Sequence, residues 1–350
     1  MHSDITQAHA ALRSYNLQPS CINPVTTGLI NDTYLVETET GEKYILQRIN
    51  PIFSPEICLD IDLVTRHLHT KSMLTPRIIS TTDSRLWIEH DKGIWRLLSY
   101  IPGQTGDILQ NANMAREAGA LLADFHIALL DINEAFHNTR SGVHDLRKHI
   151  QFLHDTLRSK KAHPRYKEIS LLADEIFIFV TQLPQLPPAP ARVIHGDAKI
   201  SNIIFDPNTK HALCLIDLDT LTRLPLYIEL GDAIRSWCNP CGEDVAEGVF
   251  SMELFRAAIE GYATHAGTHI VTEEWQPFVT AAETIFIELA ARFCADALNE
   301  SYFSWNPEKF PNCSEHNRVR TLGQLNAAKS LRQQRQQAEA ILIDVFSSSS

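Results

Sequence analysis

The chain has no run of 18 or more apolar residues, which excludes a membrane-spanning helix. It has no basic surplus either: 31 Lys and Arg stand against 42 Asp and Glu, a formal net charge of −11. The densest basic stretch, Lys329 to Arg335, lies among glutamines on a helical pattern. A surface for nucleic-acid backbones is therefore not expected. The seven cysteines are odd in number and scattered, and Cys238-Asn-Pro-Cys241 is the lone CxxC, so neither a disulfide framework nor a zinc or redox site is expected. The start, Met1-His2-Ser3-Asp4, lacks a basic region followed by an apolar one, so no signal peptide is expected and the reading is a reduced, cytoplasmic protein.

What is present is an ordinary globular composition, 44% hydrophobic and 21% charged over 350 residues, enough for two domains or one bilobal one. Residues 4–17 carry a helical spacing, as do 55–70. Residues 33–38, 43–49 and 86–99 are rich in β-branched, aromatic and aliphatic side chains with turn residues between them, and read as antiparallel strands. Pro102-Gly103 marks a break. Beyond it helices dominate: Met114, Ala118, Leu121, Leu122, Phe125 and Leu129 make one buried face, and helices are expected over 165–183, 228–238, 251–265, 273–299 and 318–346. Pro184 to Pro190 is a connector, two short strands at 203–206 and 212–216 bracket a turn, and Ser347 to Ser350 is a frayed tail. The organisation is α+β: an N-lobe over 1–100, a helical C-lobe over 101–346, and a cleft between them as the default ligand site.

The chemistry concentrates in Val193-Ile-His195-Gly196-Asp197-Ala-Lys199-Ile-Ser201-Asn202 and in Leu215-Ile216-Asp217-Leu218-Asp219. The first is a polar loop between apolar runs; the second is a buried strand ending in carboxylates. Phosphoryl transfer needs such parts: an acid that takes the acceptor hydroxyl proton, here Asp197, and an amide and second acid for Mg2+, here Asn202 and Asp217. The order and interval match the H-x-D-x-x-x-x-N loop of protein kinases and the metal Asp after the next hairpin. His195 would orient the loop, and Lys199 within it is a further catalytic candidate.

These residues resemble those of the aminoglycoside phosphotransferase and choline kinase-like enzymes, through His195-Gly196-Asp197, Asn202 and Ile216-Asp217. That resemblance implies a protein-kinase-like bilobal fold, ATP and Mg2+ as cofactors, and a small-molecule acceptor. A narrower branch, the N-acetylhexosamine 1-kinases, is similar in Gly28-Leu-Ile-Asn31-Asp32-Thr33-Tyr34, in Tyr44-Ile-Leu-Gln47-Arg48-Ile-Asn50, in Ile216-Asp217-Leu218-Asp219-Thr220, in Gly231-Asp232-Ala-Ile-Arg235-Ser236, in Glu288-Leu-Ala-Ala-Arg292-Phe293 and in Glu315-His316-Asn317. It implies transfer to the anomeric hydroxyl of GlcNAc or GalNAc.

On the nucleotide side, residues 25–36 would form a first hairpin, with Gly28, Asn31 and Thr33 covering the phosphates. The usual strand lysine is missing. Gln47 or Arg48 takes its place, and Arg48, permanently charged and able to fork onto phosphate, is the stronger candidate. Strand alternation lets only one of them enter the cleft. Glu56, Asp60 and Asp62 are candidate acid partners, and Ser99 to Ile101 would pass the adenine. On the acceptor side, Asp232 would open a helix, either capping it or anchoring the catalytic loop or else binding substrate, with Arg235 one turn on, facing the donor phosphate or the sugar. Glu288, Arg292 and Asp296 share a helix face, either as a solvated ladder or with Arg292 reaching a sugar, and Tyr302 could stack on that sugar. His126, on an apolar helix face, reads as a core residue.

Overall fold

The computed structural model describes residues 5–25, 30–137 and 144–348. Gly28 lies outside the described residues. The chain begins with α1 (Ile5–Leu12) and continues through β1 (Pro19–Val25), β2 (Asp32–Thr38), β3 (Lys43–Ile49), α2 (Ile57–Thr70), β4 (Ile78–Ile79), β5 (Ile88–His90) and β6 (Gly93–Ser99). The strands form one antiparallel sheet in the order β1-β2-β3-β6-β4, with β5 on β6.

The period of two divides this sheet cleanly. Tyr34, Val36, Leu46, Trp95 and Leu97 point to one face, where Ala8, Ala11 and Leu12 of α1 bury them. Thr33, Leu35, Ile45, Gln47, Arg96 and Leu98 point to the other, which lines a cavity of about 970 Å³. Arg48 shares the parity of Leu46. Its Nε sits beside Gly93, where a Cβ on that glycine would lie 2.5 Å away, and it does not line the cavity. The preference for Arg48 over Gln47 is thus corrected: alternation sends the amide into the cleft and the guanidinium away from it.

The C-lobe comprises α3 (Ala112–Ala128), α4 (Leu146–Ser159), α5 (Tyr166–Thr181), β7 (Ala191–Ile194), β8 (Ile203–Phe205), β9 (Ala212–Leu215), β10 (Thr222–Pro225), α6 (Leu226–Trp237), α7 (Met252–Ala266), α8 (Thr272–Trp275), α9 (Phe278–Asn299), α10 (Cys313–Gln333) and α11 (Arg335–Ser348). Apolar residues recur all round α9, so it is buried on every side and forms the axis against which α4, α5, α6 and α10 pack. The helix expected over 273–299 breaks at Pro277, and that expected over 318–346 is two helices beginning at Cys313. Half of the expected tail is helical: α11 continues to Ser348, where Val345 and Phe346 are buried and Phe346 stacks on Trp275 at 4.9 Å, and Ser349 and Ser350 lie outside the described residues. β1, β4, α4, β7 and β10 were not foreseen; each is short or mostly polar.

The lobes are not independent. Ile57, Cys58, Ile61, Val64 and Leu68 of α2 belong to the same buried cluster as α3 and the C-lobe helices. Beyond Ser99 the chain crosses over, and Gln104 and Phe205 exchange backbone hydrogen bonds of 2.9 and 2.8 Å. Among the described residues, no helix is long and apolar enough to cross a membrane.

Within the C-lobe, α3 and α7 touch backbone to backbone. A Cβ on Gly119 would lie 2.0 Å from the Ala258 carbonyl oxygen, and one on Gly261 would lie 2.0 Å from that of Arg116. Gly119→Ala is expected to destabilise the protein by about 1–3 kcal/mol through overpacking, read as a fall in the urea midpoint. A midpoint equal to wild type would show that the two helices separate without cost.

Candidate functional site

The loop carrying the catalytic candidates His195, Asp197 and Lys199 follows β7, whose pairing with β10 sets Ile194 opposite Thr222. Its backbone is held from three sides. Glu229, on α6, accepts from the backbone N–H of both His195 and Gly196, each at 2.8 Å. Thr220 donates its hydroxyl to the His195 carbonyl (2.9 Å), and Trp237 donates its indole N–H to the Ala198 carbonyl (2.9 Å). Gly196 has φ +83°, and a Cβ there would lie 2.3 Å from the Thr220 carbonyl oxygen, so the position requires glycine. The buried His195 places Nε2 2.9 Å from the Ile216 carbonyl, to which it donates, and Nδ1 accepts from the Asp197 N–H at 3.3 Å. One imidazole tautomer thus joins the catalytic loop to the segment carrying Asp217.

The loop delivers Asp197, Lys199 and Asn202 to the cavity wall, and the β8–β9 hairpin returns Asp217 to the same wall. Lys199 Nζ is 2.6 Å from Asp197 Oδ2, and Asn202 Nδ2 donates to the Asp197 carbonyl (2.8 Å) and to Oδ2 (3.1 Å). Asp217 adopts a left-handed backbone (φ +64°, ψ +55°), which turns the chain sharply after β9. Burial, then the adjacent Asp219 carboxylate, push the Asp217 carboxyl up to about 6, with Lys199 pulling the other way. Burial works against the Lys199 ammonium, but Asp197 and Asp217 outweigh it and hold its pKa above the usual lysine range. Asn202 has its Nδ2 engaged on Asp197, so Oδ1 is its atom available to a cation, and with the Asp217 carboxylate it offers the hard oxygens that suit Mg2+. Two protein ligands, with phosphates and water completing the shell, is a normal Mg2+ arrangement. Among the described residues, no group of three or more His, Cys, Asp or Glu is set to hold a metal, and Cys238 and Cys241 are free thiols.

On the N-lobe side, Arg96 of β6 is buried, with Nη1 2.5 Å from Asp219 Oδ1 and with Nε and Nη2 donating to Gln47 Oε1 at 2.9 and 2.6 Å. Burial opposes its charge; Asp219 more than restores it. The second oxygen of Asp219 accepts from Asn31 Nδ2 at 2.6 Å, and Asn31 Oδ1 accepts from the Asn50 N–H at 2.9 Å. Asn31 therefore ties the first hairpin to the metal-side segment. Thr33 and Gln47 line the cavity and meet at 3.3 Å. The acid opposite the β3–β6 face is Asp219. Glu56 meets Ser54, Asp60 accepts from His137, and Asp62 pairs with Arg66, so the three foreseen partners are all occupied elsewhere. Ser99 and Ile101 line the cavity, and the Ser99 N–H donates to the Arg77 carbonyl at 2.9 Å.

At the far end, Asp232 lies in the second turn of α6 and does not open it; Glu229, one turn earlier on the same face, is the loop anchor that was one of the roles open to Asp232. Asp232 instead accepts from Arg235 Nε at 2.9 Å, and Arg235 Nη1 reaches Glu243 at 2.5 Å. Burial would raise the Asp232 carboxyl, but Arg235 outweighs it and lowers it. The reading of Glu288-Arg292-Asp296 as a solvated ladder does not survive, because Glu288 and Asp296 are buried. Asp296 accepts the backbone N–H groups of Ser301, Tyr302 and Phe303 at 2.8–3.0 Å, fixing the turn that carries Tyr302. Arg292 lines the cavity with its guanidinium 5.8 Å from the Tyr302 ring centre and 5.5 Å from that of Phe303. Glu288 Oε1 is 3.4 Å from His144 Nδ1, 3.6 Å from His149 Nε2 and 3.9 Å from Arg292 Nη1, while its Oε2 has no hydrogen-bond partner among the described residues. The two histidines sit on an otherwise polar stretch and carried no sequence signal. His126 is buried, with Nδ1 2.8 Å from the Tyr262 hydroxyl.

A family model described as the phosphotransferase enzyme family matches residues 22–267. The chain belongs to that family. Among solved structures, the microcompartment-associated aminopropanol kinase is 14% identical, covers 97% of this chain and 99% of its own, and has a TM-score of 0.65. An aminoglycoside phosphotransferase from Alicyclobacillus acidocaldarius is 15% identical, covering 94% and 96%, with a TM-score of 0.62. A choline kinase from Cryptosporidium parvum is 14% identical, covering 93% of each chain, with a TM-score of 0.56. These likenesses show the fold, the bilobal protein-kinase-like arrangement of an antiparallel sheet on a helical lobe. The chain is a small-molecule phosphotransferase.

Burial disfavours the His144 imidazolium, but Glu288 and then Asp232 outweigh it and raise the group to about 8 from an ordinary 6.5. Its contribution to stability is therefore complete below about pH 6.5 and is lost as pH rises through about 8. Urea unfolding of wild type and His144→Gln at pH 6 and pH 8.5 checks this, with wild type expected to lose roughly 1–2 kcal/mol more than the variant. Parallel losses would show that the pair does not hold the proton.

Proposed function

We propose that the protein is an ATP- and Mg2+-dependent kinase that transfers the γ-phosphoryl group to a sugar hydroxyl, the anomeric hydroxyl of an N-acetylhexosamine. One observation carries this reading: the acceptor end of the cavity is walled by charges that already neutralise one another. Asp232 is paired with Arg235, and Glu288 stands between His144 and Arg292. Such a wall offers donors and acceptors without net charge, which suits a neutral polyhydroxylated molecule. Arg292 can donate to a ring hydroxyl or an acetamide carbonyl, and the exposed Tyr302 ring offers an apolar face at the rim.

The chemistry is a direct displacement. The acceptor oxygen attacks the γ-phosphorus as its bond to the β–γ bridging oxygen breaks, and the hydroxyl proton passes to Asp197. Lys199 and Asn202 hold that carboxylate in one orientation. Asn202 and Asp217 would hold Mg2+, which when bound neutralises charge on the phosphates and on the departing ADP. The closed hydrogen bonding around His195 and Glu229 keeps the loop from rearranging during the reaction, the preorganisation on which electrostatic catalysis depends.

A second reading is an amino alcohol acceptor. The similar proteins include an aminopropanol kinase, a choline kinase and a Plasmodium vivax ethanolamine kinase, and the unpartnered Glu288 oxygen is a place for an ammonium. Arg292 and a charged His144 beside the same carboxylate weigh against it.

Phosphorus NMR of reactions containing ATP, Mg2+ and either GlcNAc, GalNAc, ethanolamine or aminopropanol separates the two. The expected product is an anomeric sugar phosphate with stoichiometric ADP. Phosphorylation of the amino alcohols alone would replace the sugar reading by the second, and ADP formation with none of them would overturn both. Asp197→Ala is expected to lower kcat by about 10²–10⁴-fold while ADP affinity stays within about twofold. Unchanged turnover would remove Asp197 from the mechanism.

A further inference from the structure

In kinase-fold enzymes a lysine on the third strand pairs with the nucleotide phosphates. No basic residue of β3 lines the cavity: Lys43, on the same face at the start of the strand, pairs with Glu37 at 3.6 Å, and the residue that faces the cavity is Gln47. Among the described residues, the sheet contributes one basic residue to the cavity wall, Arg96. Strand register explains how the two meet. Thr33 pairs with Gln47 across β2–β3, and Gln47 with Arg96 across β3–β6, so the three side chains form one row on the cavity face.

The hydrogen bonds in that row are directional. Gln47 Oε1 accepts two N–H groups of Arg96, at 2.9 and 2.6 Å, which fixes which end of the amide is oxygen. The NH2 end is thereby turned to Thr33 Oγ1, at a long 3.3 Å, and to the cavity both residues line. Arg96 itself is 1% exposed and is braced from behind by Asp219 at 2.5 Å. The guanidinium is almost wholly buried in the cavity wall, and two of its N–H groups on one amide oxygen polarise that amide and make its NH2 hydrogens stronger donors.

We propose that Gln47 and Arg96 together replace the strand lysine: Gln47 Nε2–H donates to a nucleotide phosphate oxygen, and Arg96, braced by Asp219, is the positioning residue that orients and charges the amide. The proposal rests on the reading of ATP as donor. It makes and breaks no covalent bond; it assigns the electropositive contact that β3 otherwise lacks.

Calorimetry with Mg-ADP and with adenosine tests it, because a phosphate contact moves one ligand and not the other. Wild type is expected to bind ADP more tightly than adenosine. Gln47→Met, close to isosteric, is expected to weaken ADP by about tenfold or more and leave adenosine within about twofold. The double variant Gln47→Lys with Arg96→Met returns a cation to β3, and its preference for ADP over adenosine is expected to lie within about threefold of wild type. A merely structural Arg96 would not be rescued in this way. Wild-type ADP affinity in Gln47→Met, or equal losses for ADP and adenosine, would overturn the proposal whatever the double variant does. A folded double variant with no regained ADP preference would remove Arg96 from it. A wild-type protein that binds neither ligand would overturn the kinase reading itself, a result distinguishable from both.

Discussion

Asp219 fastens the two lobes with a single carboxylate. One oxygen takes Arg96 from β6, the other takes Asn31 at the end of the first hairpin, and Asp219 itself sits two residues beyond Asp217. All three side chains are buried. An ion pair so placed costs desolvation on both partners, which the further hydrogen bonds from Arg96 to Gln47 and from Asn31 to Asp219 help to offset. Its consequence is geometric. The floor of the cleft has a fixed width, set by a bond between the sheet that would cover a nucleotide and the segment that carries a metal-ligand candidate. The α2 helix reinforces this, since it is continuous with the N-lobe chain yet packed into the C-lobe core.

From that fixed floor the rest of the site is built outwards by backbone anchoring. Glu229 takes two successive N–H groups of the catalytic loop, His195 ties the loop to Ile216, and Gly196 allows an approach to Thr220 that no side chain would permit. The reactive groups themselves, Asp197, Lys199 and Asn202, touch one another and face the cavity. Support and chemistry are separated: Glu229, His195 and Trp237 hold the loop, and Asp197, Lys199 and the buried Asn202 line the cavity. At the acceptor end the same economy recurs. Asp296 shapes the turn bearing Tyr302, and Arg292 is left to face the cavity.

The sequence made some of this legible and hid the rest for identifiable reasons. The β2, β3 and β6 strands and the α3 face declare themselves through period, and the Asp197, Asn202 and Asp217 set through spacing within apolar flanks. Those signals are local. What failed was non-local. Arg48 outranked Gln47 on charge alone, although alternation allowed one of them into the cleft, and the parity was set by Leu46 seeking α1. Arg96 went unnoticed, yet a lone arginine in Gly93-Ile-Trp-Arg-Leu-Leu-Ser, flanked by apolar residues, signals a buried charge with a partner. Loop anchoring was one of the roles open to Asp232, whereas the helical repeat gives Glu229 the same face one turn earlier, and it is Glu229 that takes the loop N–H groups. His144 and His149 could not be read, because only the tertiary fold brings them to Glu288.

The account stands on one spatial claim: the oxygens of Asn202 and Asp217 share a divalent cation beside the nucleotide phosphates, within reach of Asp197. A crystal of the protein grown with ADP and Mn2+, with anomalous diffraction recorded at the manganese edge, measures this directly. The account predicts an anomalous peak in contact with Asn202 Oδ1, the Asp217 carboxylate and a phosphate oxygen. A nucleotide bound in the cleft with its metal held by other residues, or no metal between these two side chains, would contradict it.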